Sequence, residues 1–135
     1  DTPLEAGLEF TVKYVKKGGF IGREALLEKK QSLLDSKMEA FEKRLVLFAL
    51  EDPIPMLYHN EPIWCDGRIV GDLTSGMYGH TIGTCLGMGY VFNKGGVTDE
   101  LIKSSKFEIE VAGERHSAKA SLKAFYDPFS KRVRI

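Results

Sequence analysis

The sequence contains 135 residues, and its nineteen lysines and arginines balance nineteen aspartates and glutamates. This length suits one ordinary domain with its own core, and the balanced charge excludes a one-signed field that would attract nucleic acid or an anionic membrane surface. No apolar run reaches the roughly eighteen residues of a membrane span, and the first residues lack the features of a signal peptide. We therefore expect a soluble, cytoplasmic protein that binds neither nucleic acid nor membrane.

The first predicted element is a β-strand close to the amino terminus. Over residues 7–15, apolar and polar side chains alternate with a period of two, which is typical of a half-buried strand. A Lys-Lys-Gly-Gly turn follows at residues 16–19, because glycine accepts positive φ without strain. This rhythm begins near the start with no methionine before it, so we expect the sequence to be cut from a longer chain.

A helix is predicted after this turn. Residues 21–41 are rich in strong helix formers, and Ile21, Ala25 and Leu26 have a spacing compatible with one apolar stripe. We expect the packed helix to end near residue 31 and a helical linker to follow over residues 32–42. The boundary between two structural parts is therefore placed at residue 42.

The remainder, residues 43–135, consists mostly of short β-type runs bounded by Gly, Pro, Asn or Asp. Asp66 with Gly67 predicts one tight hairpin, and the Ala-Gly pair at residues 112–113 predicts a second. Thr98 is a suitable N-cap for a short helix. Four to six strands with hairpin links favour a mainly β fold, α+β overall. Its centre would be a small antiparallel β-barrel or jelly roll, preceded by the strand and the helix.

Motifs of known chemistry are scarce in these residues. Gly87 and Gly89 lack the strand, glycine loop and helix order of a phosphate-binding turn, which favours close backbone approach or a bulge instead. The sequence contains three histidines, His59, His80 and His116. They are too far apart in the sequence for the usual zinc-binding spacings. We therefore expect no metal site.

Other single residues have modest predicted roles. Cys65 and Cys85 are expected to be free, partly buried thiols, and Trp64 and Met56 are expected to belong to the core. His80 follows a loop that would line a cavity if a neighbouring domain closed over it, and otherwise it is a solvent-facing histidine.

Two long stretches resemble a known family. Residues 1–26, DTPLEAGLEFTVKYVKKGGFIGREAL, resemble the segment that closes the folate-binding domain of the glycine-cleavage T-protein, or aminomethyltransferase, family. Residues 61–91, EPIWCDGRIVGDLTSGMYGHTIGTCLGMGYV, are similar to that family's C-terminal barrel. The resemblance implies that residues 1–42 are the end of the folate-binding domain and residues 43–135 are the barrel domain.

Within the family, KRLVLFALED at residues 43–52 and FYDPFSKRVR at residues 125–134 resemble the T-protein-like halves of dimethylglycine and sarcosine dehydrogenases. In such enzymes an FAD-containing half oxidises an N-methyl group, and the T-protein-like half passes the carbon to tetrahydrofolate. Similar sequences also occur in a non-catalytic protein, the regulatory subunit of pyruvate dehydrogenase phosphatase. The resemblance therefore leaves a regulatory or interaction module as the alternative to an enzyme.

The resemblance also implies where cofactors would bind. Family folate contacts fall on Lys16 and, with a substitution of residue type, on Arg132. The family's catalytic aspartate and the flavin half lie upstream, so no catalytic residue is expected here and no cofactor is expected to bind the isolated chain. The implied partners are the upstream domains, a small-molecule substrate of the parent protein and a second copy paired through the N-terminal segment. A eukaryotic parent would reside in the mitochondrial matrix.

Overall fold

The computed structural model describes residues 1–132 of the chain. Within this range, six antiparallel strands form a closed barrel in the order β1-β4-β3-β2-β5-β6, with β6 paired to β1. The strands are β1 (Lys43–Leu50), β2 (Pro62–Cys65), β3 (Arg68–Gly79), β4 (Thr84–Phe92), β5 (Phe107–Val111) and β6 (Glu114–Ser121). The helices are a 3-10 turn (Glu9–Thr11), α1 (Arg23–Asp35) and α2 (Asp99–Ser104). The prediction of a small antiparallel barrel is confirmed.

The core fills the inside of the barrel because successive side chains on a strand point to opposite faces. In β1 the side chains of Val46 and Phe48 are completely buried, whereas the intervening Leu47 is only partly covered. The rings of Phe48 and Phe107 meet with centroids 5.7 Å apart. Each large apolar side chain buried in this way stabilises the fold by about 1.5–3 kcal/mol. The largest fully buried side chains are Phe48, Leu57, Ile63, Leu73 and Ile109.

Both predicted hairpins are present. Asp66 and Gly67 join β2 to β3 with φ of 48° and 79°, and Ala112 and Gly113 join β5 to β6 with φ of 52° and 85°. Positive φ at both central positions matches the right-handed twist of the flanking strands. The predicted N-cap is also confirmed, because the Thr98 hydroxyl accepts a hydrogen bond from the amide of Leu101 at 3.1 Å.

The glycines of β4 lie where two strands approach closely, as the sequence predicts. A methyl group at Gly89 would collide with the carbonyl oxygen of Asp72 and would lie 2.6 Å from Cδ1 of Ile63. A methyl group at Gly87 would lie 2.8 Å from Cδ1 of Leu73. The partner strand also shifts register between Leu73 and Ser75, which is the irregularity expected of a bulge.

The predicted strand over residues 7–15 is wrong. The segment forms the 3-10 turn, in which the Thr11 amide donates to the carbonyl of Leu8 at 3.0 Å. No strand among the described residues lies alongside it, so an extended backbone would have left its amides and carbonyls without partners. Local hydrogen bonds satisfy these backbone groups instead. Phe10 and Val15 remain 84% and 94% exposed.

The predicted helix exists, but its end lies beyond residue 31. The side chain of Gln31 donates to the Asp35 carboxylate at 2.7 Å, a bond one helical turn apart that supports the added turn. Lys37 then adopts φ of 55°, which ends the helix before β1 begins at Lys43. In the described part of the chain, no helix has both the length and the apolar character needed to cross a membrane.

We expect Gly89→Ala to destabilise the barrel by about 2–3 kcal/mol, because the added methyl group meets backbone atoms that cannot move without opening the sheet. Urea unfolding followed by tryptophan fluorescence measures the change. Gly95→Ala is the matched control, since the nearest atom to its new methyl group is Nδ2 of the Asn93 side chain at 3.5 Å. Equal stability of the two variants would contradict the close approach.

Candidate functional site

A groove of about 780 Å³ lies between the N-terminal segment and the start of α1. Its lining residues are mainly apolar, and they also include two exposed lysines. The apolar lining includes Pro3, Val12, Phe20, Ile21, Ala25 and Leu26, and the lysines are Lys13 and Lys16. The groove can therefore accept an elongated ligand that combines an apolar body with an anionic group.

The groove keeps its shape because the turn before α1 is tied to the segment preceding it. Gly22 has φ of 86° and directs the chain into α1. The Arg23 side chain then donates from Nε to the carbonyl of Tyr14 at 2.7 Å. Lys30, further along α1, pairs with the carboxylate of Glu9 and lies over the Tyr14 ring.

Glu5 anchors this segment to both α1 and the barrel. Its carboxylate accepts from Lys29 at 2.8 Å and from the Thr2 amide at 2.9 Å, and its carbonyl accepts from the Leu45 amide of β1 at 2.9 Å. Burial raises the pKa of Glu5, but the hydrogen bonds from Lys29 and Thr2 outweigh this effect and hold the pKa below its ordinary value of 4.5. Leu4 beside it is buried, so the start of the chain is docked on the barrel.

The two predicted folate contacts lie in different places. Lys16 is exposed and lines the groove. Arg132 does not line it; its amide donates to the Asp127 carboxylate at 2.9 Å, and its guanidinium lies 5.5 Å from the Tyr126 ring. Sequence reasoning missed Lys13, which lines the same groove three residues before Lys16. The two lysines lie three residues apart, at the ends of one turn in which the Lys16 amide donates to the Lys13 carbonyl at 3.0 Å. This spacing could have indicated Lys13.

The residues before His80 are predicted to form a loop, but the structure places them at the end of β3, which runs to Gly79. His80 is exposed, and its ring meets the edge of the Tyr78 ring at a centroid distance of 5.2 Å. Among residues 1–132, no three side chains of His, Cys, Asp or Glu come together in a way that could hold a metal ion.

The cysteines are free and buried. Burial raises the pKa of the Cys65 thiol, which makes it a poor nucleophile. The prediction that Met56 is in the core is wrong, because the residue is 43% exposed, although its sulfur lies 3.6 Å from Sγ of Cys85. Trp64 is half-buried on the outside of the barrel, where Nε1 donates to Glu110 at 2.9 Å and the Arg115 guanidinium stacks on the ring.

The fold and the groove define a closed barrel domain with a docked N-terminal extension that offers a ligand-sized surface. The family described as "Glycine cleavage T-protein C-terminal barrel domain" matches residues 43–127, a range that starts at the first residue of β1. The chain belongs to this family.

Three known proteins illustrate what the chain is similar to. It is 40% identical over 99% of its length to 4-methylaminobutanoate oxidase (formaldehyde-forming) of Paenarthrobacter nicotinovorans, and 37% identical over 99% to mitochondrial sarcosine dehydrogenase of Homo sapiens. It is 38% identical over 90% to the mitochondrial pyruvate dehydrogenase phosphatase regulatory subunit of Mus musculus. The chain spans only 15%, 14% and 14% of these relatives.

A solved structure agrees with the fold. The glycine cleavage system aminomethyltransferase T from Bartonella henselae superposes with a TM-score of 0.66 over 90% of the chain and 31% of that protein, at 22% identity. This likeness supports the barrel architecture.

Glu5→Gln should destabilise the protein by about 1 kcal/mol at pH 7, because the ionised carboxylate loses charged hydrogen bonds that hold the N-terminal segment. The lowered pKa means that the stabilisation is present above about pH 4.5 and is lost as the pH falls through the folded-state value. Urea unfolding at pH 7 and pH 3 should therefore show a difference at the first pH and little at the second. Glu28→Gln, on the exposed face of α1, is the control, and an equal effect of both substitutions would refute this role of Glu5.

Proposed function

We propose that the chain is the C-terminal part of an FAD-linked N-methyl-amine-oxidising enzyme of the dimethylglycine or sarcosine dehydrogenase type, which passes a one-carbon unit to tetrahydrofolate. The observation that carries this proposal is the match over 99% of the chain to two proteins whose names denote oxidation of N-methylated amines. Both matches continue through the N-terminal segment and α1, beyond the barrel family itself.

The groove suits one half of a tetrahydrofolate molecule. That half consists of an aromatic amide and a glutamate with two carboxylates, and the groove combines apolar walls with Lys13 and Lys16. A cation near a carboxylate is favourable even when partly exposed, and the apolar walls favour an aromatic ring. When bound, tetrahydrofolate supplies the nitrogens that accept the one-carbon unit. Lys16 would hold a tail carboxylate, and Arg132 remains a second proposed contact.

The residues of this chain do not suit the flavin. A dinucleotide site of the common type needs a glycine-rich turn from a strand into the N-terminus of a helix. In the described range, α1 follows a turn and a 3-10 helix, while α2 follows the loop after β4 without such a motif. We therefore assign the FAD to the upstream part of the parent protein and assign no step of its chemistry to this chain.

The alternative function is a regulatory module without catalysis. It is favoured by the 38% identity to the pyruvate dehydrogenase phosphatase regulatory subunit, which is similar to the identities with the enzymes.

The mitochondrial names of two of these relatives favour the mitochondrial matrix as the location of the parent protein if it is eukaryotic.

Turnover by the longer protein separates the two functions. We expect the parent polypeptide, supplied with tetrahydrofolate and sarcosine, dimethylglycine or 4-methylaminobutanoate, to reduce its flavin and form 5,10-methylenetetrahydrofolate. Absorbance of the flavin and mass spectrometry of the folate measure the two half-reactions. Absence of bound flavin together with no turnover of any of the three amines would favour the regulatory module.

Lys16→Ala in the longer protein should weaken tetrahydrofolate binding about tenfold, because one charge-assisted contact to a tail carboxylate is lost. Calorimetric titration measures the dissociation constant. The matched control is Lys17→Ala, which removes a neighbouring exposed cation that does not line the groove. The 135-residue chain alone should show no tight binding. Equal affinities of the two variants would exclude Lys16 as a contact.

A further inference from the structure

The outer surface of the barrel carries an apolar wall across β1, β4 and β3. Strand register places Leu47 beside Met88, and Met88 in turn beside Ser75. The next row places Leu86 beside Met77. Because Phe48, Gly87 and Cys85 in the same strands face the core, alternation turns these neighbouring side chains outward. We call this surface, formed by Leu45, Leu47, Met77, Leu86, Met88 and Tyr90, the methionine wall.

The opposite side of the barrel has a different character. There β5 and β6 face outward with Glu108, Glu110, Arg115 and Lys119, the polar set expected of a solvated sheet. On the methionine wall, by contrast, the side chains of Met77 and Met88 are 72% and 42% exposed. Flexible, polarisable methionines together with aromatic rings are enriched where proteins contact other proteins. The wall therefore has the composition of an interface.

The N-terminal segment already covers one edge of this wall. The Leu45 amide donates to the carbonyl of Glu5, and the ammonium of Lys43 pairs with Asp1 and lies 4.6 Å from the centre of the Tyr90 ring. Any polypeptide preceding Asp1 would consequently leave the chain at the rim of the methionine wall. In the matched relatives this chain is 14–15% of the protein, so a large remainder is available to cover it.

We propose that the methionine wall is the surface through which this barrel packs against the upstream part of its parent polypeptide, by contact with a complementary apolar surface there. This inference rests on the proposed function only in assuming that the parent is a longer protein of the matched type. The proposed interface lies on the outside of the barrel and is separate from the groove that Lys13 and Lys16 line. The partner buries Met77 and Met88, while the charged side formed by β5 and β6 stays in solvent.

Oxidation by dilute hydrogen peroxide tests this inference, because a methionine sulfur reacts according to its exposure. Peptide mass spectrometry follows sulfoxide formation in the 135-residue chain and in the parent protein. We expect Met77 and Met88 to react at least about fivefold more slowly in the parent. Met56 is an internal control, because its sulfur lies against Cys85 rather than on the wall and its oxidation rate should be the same in both proteins.

Unchanged oxidation rates at both wall methionines would overturn the proposal. A second result would also overturn it: wall methionines that are protected in the 135-residue chain at high concentration and become reactive on dilution. In that case a second copy of the chain, and not the upstream part of the parent, would cover the wall. Folate binding by the parent is measured separately. Protected methionines in a parent that binds no tetrahydrofolate would support the interface and refute the proposed function.

A charge placed on the wall provides a second measurement. Met88→Glu should leave the melting temperature of the 135-residue chain nearly unchanged and lower that of the parent by several degrees, because only the parent buries the new carboxylate. Thr81→Glu adds the same charge in the exposed turn before β4 and should affect neither protein. Equal responses of the parent to both substitutions would contradict the interface.

Discussion

The barrel depends on the close approach of β3 and β4 at Gly89, where the backbone of Asp72 occupies the space in which any other residue would carry its side chain. These two strands are the longest in the sheet, at twelve and nine residues. Their tight contact lets the sheet curve enough for β1 to pair with β4 on one side and β6 on the other. Closure pairs the edges that an open sheet would expose, so the module needs no neighbouring sheet to satisfy its backbone.

Closure also determines what the two faces of each strand can do. The inside is filled by large apolar side chains such as Phe48 and Ile109, which leaves no room for a ligand. The candidate binding surfaces lie on the outside and on the attached segments. The candidate groove lies between the N-terminal segment and α1, the methionine wall lies on β1, β4 and β3, and the charged surface lies on β5 and β6. The barrel acts as a rigid support for three surfaces of different polarity.

The N-terminal segment is held more lightly than the barrel. Its attachment includes the buried Leu4, one backbone hydrogen bond from Leu45 to Glu5, and two ion pairs, Glu5 with Lys29 and Asp1 with Lys43. α1 itself has no fully buried residue. A surface formed by such elements can adjust to a neighbouring domain at low cost, because few packed contacts must change.

The sequence by itself determined the elements that depend on local chemistry: both hairpins through Asp66 with Gly67 and Ala112 with Gly113, the α2 cap at Thr98, and the close approach at Gly87 and Gly89. It also contained the resemblance that the family match confirms. Only the tertiary structure decided the state of residues 7–15, because an alternating pattern forms a strand only where another strand satisfies its backbone. The tertiary structure also decided three other features. They are the placement of Lys13 and Lys16 in one groove, the exposure of Met56 and the methionine wall. The methionine wall depends on residues far apart in the chain that come together only when the barrel closes, and the groove depends on the packing of the N-terminal segment beside α1.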